Sequence, residues 1–126
     1  MDEAVLVVPA RSELLSLVRS VVASLAARQG FSYDAIEDLR IAVSEAATFL
    51  LEASAPGARL ELRVSHVEEG VAVGLSTDAP AGAWPPVGAQ RSLAWQVLSA
   101  LTDEAALGQD ADAPALQLMK RGAPAG

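Results

Sequence analysis

Asp38-Leu39-Arg40-Ile41-Ala42-Val43-Ser44-Glu45-Ala46-Ala47-Thr48-Phe49 sits inside the longest periodic pattern of the chain. Ile36, Leu39, Val43, Ala46 and Leu50 recur at the three-and-four spacing that lines one face of a helix. Ser32 stands at the N-cap position, where a hydroxyl oxygen accepts from a first-turn N–H. Asp34, Glu37 and Asp38 follow, and negative charge there complements the helix dipole. Pro56-Gly57 closes the pattern, so the helix is predicted to end near Ser54.

Outward from this helix the periods alternate. Ala4 to Val8 is a short run with β-branched residues ended by Pro9, a predicted strand. Arg11 to Gln29 returns to helical spacing through Leu14, Val18, Val21, Val22 and Leu25, and Gly30 falls where a C′ glycine stops a helix. Ser12, or Pro9-Ala10, is read as its start. On the C-terminal side, Arg59 to Val67 alternates, with Leu60, Leu62 and Val64 on one face. Glu68-Glu69-Gly70 reads as a turn, and Val71 to Leu75 as the second strand of a hairpin. Asp78 to Gly88, with Trp84-Pro85-Pro86, is a loop. Arg91 to Leu101 reads as a third helix with Leu93, Val97, Ala100 and Leu101 apolar. A last hairpin is predicted from Ala105–Gly108 and Ala115–Met119 around Gln109-Asp110-Ala111-Asp112. The small residues 122–126 read as a loose tail. The order βααββαββ predicts one α/β (α+β) domain over residues 1–126. It would be a two-layer sandwich: a mixed, mainly antiparallel sheet with about three helices on one face.

Composition narrows the function. The chain has 126 residues, enough for one core, and 52% are hydrophobic. It has no cysteine and a single histidine, His66, which excludes thiolate chemistry and a histidine-built metal site. A formal net charge of −7 disfavours nucleic-acid backbones as partners and favours proteins with basic patches. No apolar run reaches the roughly 18 residues of a membrane span. Met1-Asp2-Glu3 is acidic where a secretory signal is basic, so the expected location is cytoplasmic.

The Ser44-Glu45-Ala46 helix resembles the N-box helix of the GHKL (Bergerat-type) ATPase superfamily, in the version carried by bacterial anti-sigma factors. There a hydrophobic turn precedes Ser-Glu-Ala, and an Asn follows the Glu by four residues. The opening strand, the Pro-Ala that follows it and the helix ending at Gly30 also look like that family's start. Arg19 precedes Glu45 by 26 residues, the family's spacing between its partner-contacting arginine and its N-box glutamate. Leu93 to Glu104 is similar to the family's last helix. The resemblance spans about residues 4 to 121 and is nearest to the mycobacterial anti-sigma F branch, whose nucleotide site is similarly eroded. It implies proteins that bind a sigma factor and phosphorylate a serine of an anti-anti-sigma protein of the STAS type. It also implies pairing of the first strand across the two-fold axis of a homodimer. Arg19 and Leu15 are the partner-binding residues it points to.

The residues that would hold Mg-ATP are largely replaced. Phe49 occupies the position of the Mg²⁺-binding Asn, and a phenyl ring offers no oxygen to a cation. Glu52 stands one turn later, where a basic or polar residue is usual. The family's adenine-binding Asp falls near Ser76, and Asp78 would substitute only if the loop shifted by two residues. Gln90-Arg91-Ser92 replaces the Gly-x-Gly before the last helix, leaving only Gly88 nearby. Phe49 and Trp84 are expected to fill part of the vacated pocket. Glu45 survives and would be the general base if phosphoryl transfer persisted.

The expected role is therefore an anti-sigma-like binding protein without efficient ATP use, needing no cofactor and no metal. Mg-ATP would enter only if the depleted site still bound it. The alternatives are an active serine/threonine kinase of the same family and a dimeric scaffold module.

Overall fold

The computed structural model describes residues 3–110 and 113–122. Strand β1 (Glu3–Pro9) leads to helices α1 (Leu15–Arg28) and α2 (Tyr33–Glu52). Strands β2 (Arg59–Val67) and β3 (Gly70–Thr77) form a hairpin. Helix α3 (Leu93–Ala100) precedes the closing strands β4 (Glu104–Asp110) and β5 (Ala113–Arg121). The five strands lie in the order β1-β2-β3-β5-β4, and every neighbouring pair is antiparallel. The helices cover one face, with α2 between α1 and α3 and over the central strands. The predicted element order and layering are those observed.

Local chemistry accounts for the boundaries. The Ser32 hydroxyl accepts from the Ala35 N–H at 3.2 Å and starts α2. Gly30 adopts φ +83°, the left-handed conformation that ends a helix at low cost when no Cβ is present. Gly70 has a different reason: a Cβ there would sit 2.5 Å from the Lys120 carbonyl oxygen across the β3–β5 pair. The β2–β3 turn is tight, since Val67 pairs with Gly70, and Glu69 takes φ +60°.

Alternation along each strand sorts the sheet into two faces. Leu60, Leu62, Val64, Val71, Val73, Leu75, Leu116 and Leu118 are buried under the helices. They meet Val18 and Val22 of α1, Leu39, Val43 and Leu50 of α2, and Leu98 of α3. Each fully buried Leu or Val contributes roughly 1.5–3 kcal/mol of transfer free energy. The opposite face carries Val5 and Val7, each 49% exposed, and the ion pairs of Arg63 with Glu3 and Glu61.

Several element limits, and the inward face of α3, differ from the sequence reading. The first helix opens as a 3-10 turn, Ser12–Leu14, and the Ser12 hydroxyl donates to Glu13 rather than capping α1. The final strands extend beyond the predicted ones, and Gln109 and Asp110 lie in β4; residues 111–112 of the predicted turn lie outside the described residues. Most of the predicted tail also lies outside them, while the Gly122 N–H donates to the Glu69 carbonyl at 3.0 Å. In α3 the inward residue is Leu98, whereas Leu93 is 76% exposed and Ala100 is exposed. Ser92 sets that phase by capping the helix, and five residues of helical turn carry Leu93 well away from the Leu98 direction.

Candidate functional site

Helical geometry places Asp38, Glu45, Phe49 and Glu52 along one flank of α2, at steps of seven, four and three residues. That flank faces α3 and the 78–88 segment. Lys120 marks its lower end: the ammonium donates to the Leu101 carbonyl at 2.9 Å and lies 3.8 Å from Asp38. Phe49 marks its upper end. The phenyl ring is half-buried and meets the Trp84 indole edge-on, with ring centroids 5.8 Å apart and planes at 82°. The Trp84 Nε1–H donates to the Gly108 carbonyl of β4 at 2.7 Å. Phe49 and Trp84, each expected to fill part of the pocket, are in contact with one another. Beside them a cleft of about 310 Å³ is bounded by Phe49, Glu52, Ala53, Val87, Gly88 and Ser92. Glu45 lies half-buried one turn before Phe49.

The remaining sequence-predicted residues separate into those near the cleft and those away from it. Ser76 points to the open face of the sheet, between Glu61 of β2 and Ala115 of β5, and does not reach the cleft. The inward residue at the end of β3 is Thr77, 1% exposed, with its hydroxyl 2.9 Å from the Ser54 Oγ. Ser54 in turn donates to the Leu50 carbonyl at 2.7 Å, tying the end of β3 to the end of α2. At the end of β3 it is thus Thr77, and not Ser76, that points under the helices. The signal was present: Val71, Val73 and Leu75 alternate inward, and the next inward position is 77.

Asp78 does not substitute at the cleft either. Its carboxylate accepts from the Arg59 main-chain N–H at 2.7 Å and from the Arg59 Nε at 3.4 Å, on the exposed rim of β2. The Arg59 main-chain bond is the chief reason that the carboxyl is held below its ordinary value of 3.8. A depressed folded-state value stabilises the fold above the unfolded value and loses that contribution as pH falls. Asp78→Asn is therefore expected to give a shallower loss of urea stability as pH falls below the ordinary carboxylate range. Superimposable acid limbs for the two proteins would contradict the assignment.

Gln90 is exposed in the 3-10 turn Ala89–Arg91. Ser92 donates to the Ala89 carbonyl at 2.6 Å and accepts from the Trp95 N–H at 3.2 Å, so its hydroxyl is engaged as the cap of α3. Gly88 adopts φ +75° where the segment turns into that helix.

Arg19 and Leu15 lie at the other flank of α2. The Arg19 Nη1 donates to the Ser44 Oγ at 3.1 Å, so the guanidinium is held against α2 rather than free in solvent. Leu15 is half-buried against the core one turn earlier. Exposed Leu17 and Ile41, at 44% and 45%, stand on the same two helices. No helix among the described residues is long and apolar enough to cross a membrane.

Residues 8–112 match the histidine kinase-like ATPase domain. The chain is 36% identical over 97 residues to the anti-sigma-F factor RsbW of Mycobacterium tuberculosis, covering 77% of this chain and 56% of that protein. It is 55% identical over 47 residues to the serine-protein kinase RsbW of Listeria monocytogenes, covering 37% of this chain and 30% of that protein. The chain thus spans about half the length, or less, of these curated relatives. Among solved structures, the RsbU and RsbW domains of a Mycobacterium tuberculosis protein superpose with a TM-score of 0.74 at 18% identity, covering 99% of this chain and 34% of that one. The histidine kinase domain of a blue-light activated kinase from Erythrobacter litoralis gives 0.57 at 14% identity, covering 90% of this chain and 61% of that one. With its helix-covered antiparallel sheet, the Ser44-Glu45-Ala46 turn on α2 and a match across most of its length, the chain belongs to the histidine kinase-like ATPase domain family.

Proposed function

We propose that this domain is a cytoplasmic anti-sigma module that sequesters an alternative sigma factor and works without nucleotide turnover. The observation that carries the reading is the 36% identity, over 77% of the chain, to a protein named anti-sigma-F factor. Arg19 and Leu15, on the seam between α1 and α2, are the residues assigned to partner contact. Occlusion of a sigma surface by an acidic domain needs a buried apolar patch with charged contacts at its rim, and Leu17, Ile41 and Arg19 supply that mixture. A STAS-type anti-anti-sigma protein would release the sigma factor by competing for this surface. Pairing of the exposed β1 edge across a two-fold axis would give a homodimer.

Mg-ATP does not fit the cleft residues. The phenyl ring of Phe49 offers no ligand to the metal, the Thr77 hydroxyl is engaged with Ser54, and the Trp84 indole packs on Phe49. A second reading, serine kinase activity, draws on half-buried Glu45 and the likeness to the Listeria serine-protein kinase. Titration calorimetry separates the two. Alternative sigma factors of the host should include one that binds with the same affinity in the presence and absence of Mg-ATP, with no phosphate transferred to a STAS partner. Nucleotide-dependent binding or serine phosphorylation would favour the kinase.

A further inference from the structure

We propose that Trp84 is an intramolecular latch that fastens the 78–88 segment across the gap between α2 and β4. It fixes the wall that this segment gives the cleft beside Phe49, without any ligand.

The segment is anchored at its two ends by main-chain bonds. At its start the Ala55 N–H donates to the Ala79 carbonyl at 2.8 Å, and the Ala81 N–H donates to the Ala53 carbonyl at 2.7 Å. At its finish the Arg91 N–H donates to the Gly88 carbonyl at 2.9 Å. The stretch between these anchors runs over the surface. Every residue from Pro80 to Val87 is exposed except Trp84, and Val87 is fully so. A surface stretch of Gly, Ala and Pro has no apolar area of its own to offset the entropy of holding one conformation. Trp84 supplies the missing contact, and it does so with both parts of the side chain. The ring packs edge-on against Phe49 of α2 at 5.8 Å, and the indole N–H donates to the Gly108 carbonyl of edge strand β4 at 2.7 Å.

Two elements, α2 and β4, are thereby joined through one side chain. The latch also protects a carbonyl on β4, an edge where an exposed main-chain group invites pairing with another strand. Release of Trp84 would uncover the face of Phe49 that the indole covers. This proposal concerns the isolated domain and stands or falls independently of sigma-factor binding.

Hydrogen exchange and fluorescence test it, in a Trp95→Phe background so that Trp84 is the sole tryptophan. Trp84→Ala should raise exchange of the hydrogen-bonded Ala55, Ala81 and Ala89 amides by about tenfold or more and leave the central amides of α2 and β3 within about twofold. Trp84→Phe keeps a ring, loses the donor, and should fall between the two. In the Trp95→Phe protein, acrylamide should quench Trp84 several-fold less than a free indole amide, and Phe49→Ala should remove much of that protection. Unchanged exchange in both Trp84 variants, or quenching equal to the free indole amide, would overturn the latch. Should Trp84→Ala fail to fold, the Trp84→Phe exchange and the quenching decide the matter.

Discussion

Replacing Arg19 by glutamate is expected to weaken binding of the sigma factor by about a hundredfold or more, equivalent to about 2.7 kcal/mol. The melting temperature should fall by no more than a few degrees. The asymmetry follows from where the side chain sits. Arg19 is half-buried at the α1–α2 seam and its guanidinium makes one resolved hydrogen bond, to Ser44. Losing one such bond costs roughly 0.5–1.5 kcal/mol of fold stability. At the proposed interface the change would be larger, because a cation facing an acidic partner group would become an anion facing it. Ser44→Ala supplies the control: it removes the seam bond and keeps the charge. If Ser44→Ala weakened binding as much as Arg19→Glu, Arg19 would act by shaping the seam and not by touching the partner. If neither moved the affinity, the partner surface would lie elsewhere. Titration calorimetry and scanning calorimetry of the three proteins measure both quantities.

Leu50→Ala is expected to be the most damaging single truncation near the cleft. Leu50 is 0% exposed, and its carbonyl accepts from Ser54, which in turn meets Thr77. Cutting a fully buried leucine to alanine costs about 2–5 kcal/mol, the lost transfer energy plus the cavity left behind. Against a total of about 5–15 kcal/mol for a domain, that is a large fraction, and the melting point should drop by about 10 °C or more. Ile41→Ala, on the solvent side of the same helix at 45% exposure, is expected to stay within about 0.5 kcal/mol. Urea denaturation of both variants is the measurement. Equal losses at 41 and 50 would mean that α2 does not present the face described.

Much of the fold was legible because period and punctuation agreed. Strand β2 was read with its observed limits, Arg59–Val67, since a two-residue period is unambiguous when leucines and valines mark it. Helix α2 was read to within two residues at its end, with Ser32 correctly named as its cap. Helix α3 was harder: Leu93, Val97, Leu98 and Leu101 offer apolar side chains on several sides, and eight residues give the pattern little length in which to declare one face. The site was legible in part. Phe49 and Trp84 could each be named for the pocket from their expected places, whereas their contact with one another and the Gly108 carbonyl carry no mark in a sequence. Ser76 was named for the site, but its side chain lies on the open face of the sheet, and Thr77, one residue later, takes the covered face.

By itself the sequence determined the element order, the helical layer and the phenyl ring on α2 at position 49. All three are properties of residue type and spacing along the chain. Tertiary structure alone decided that Arg19 is held by Ser44, that Asp78 belongs to Arg59 rather than to the cleft, and that Trp84 joins α2 to β4. Each of those contacts joins residues 19 to 35 positions apart, the widest being Phe49 to Trp84. Local propensity does not reach that far; burial of the two-layer core brings such groups together, and only then does hydrogen-bond and ring geometry select the partner.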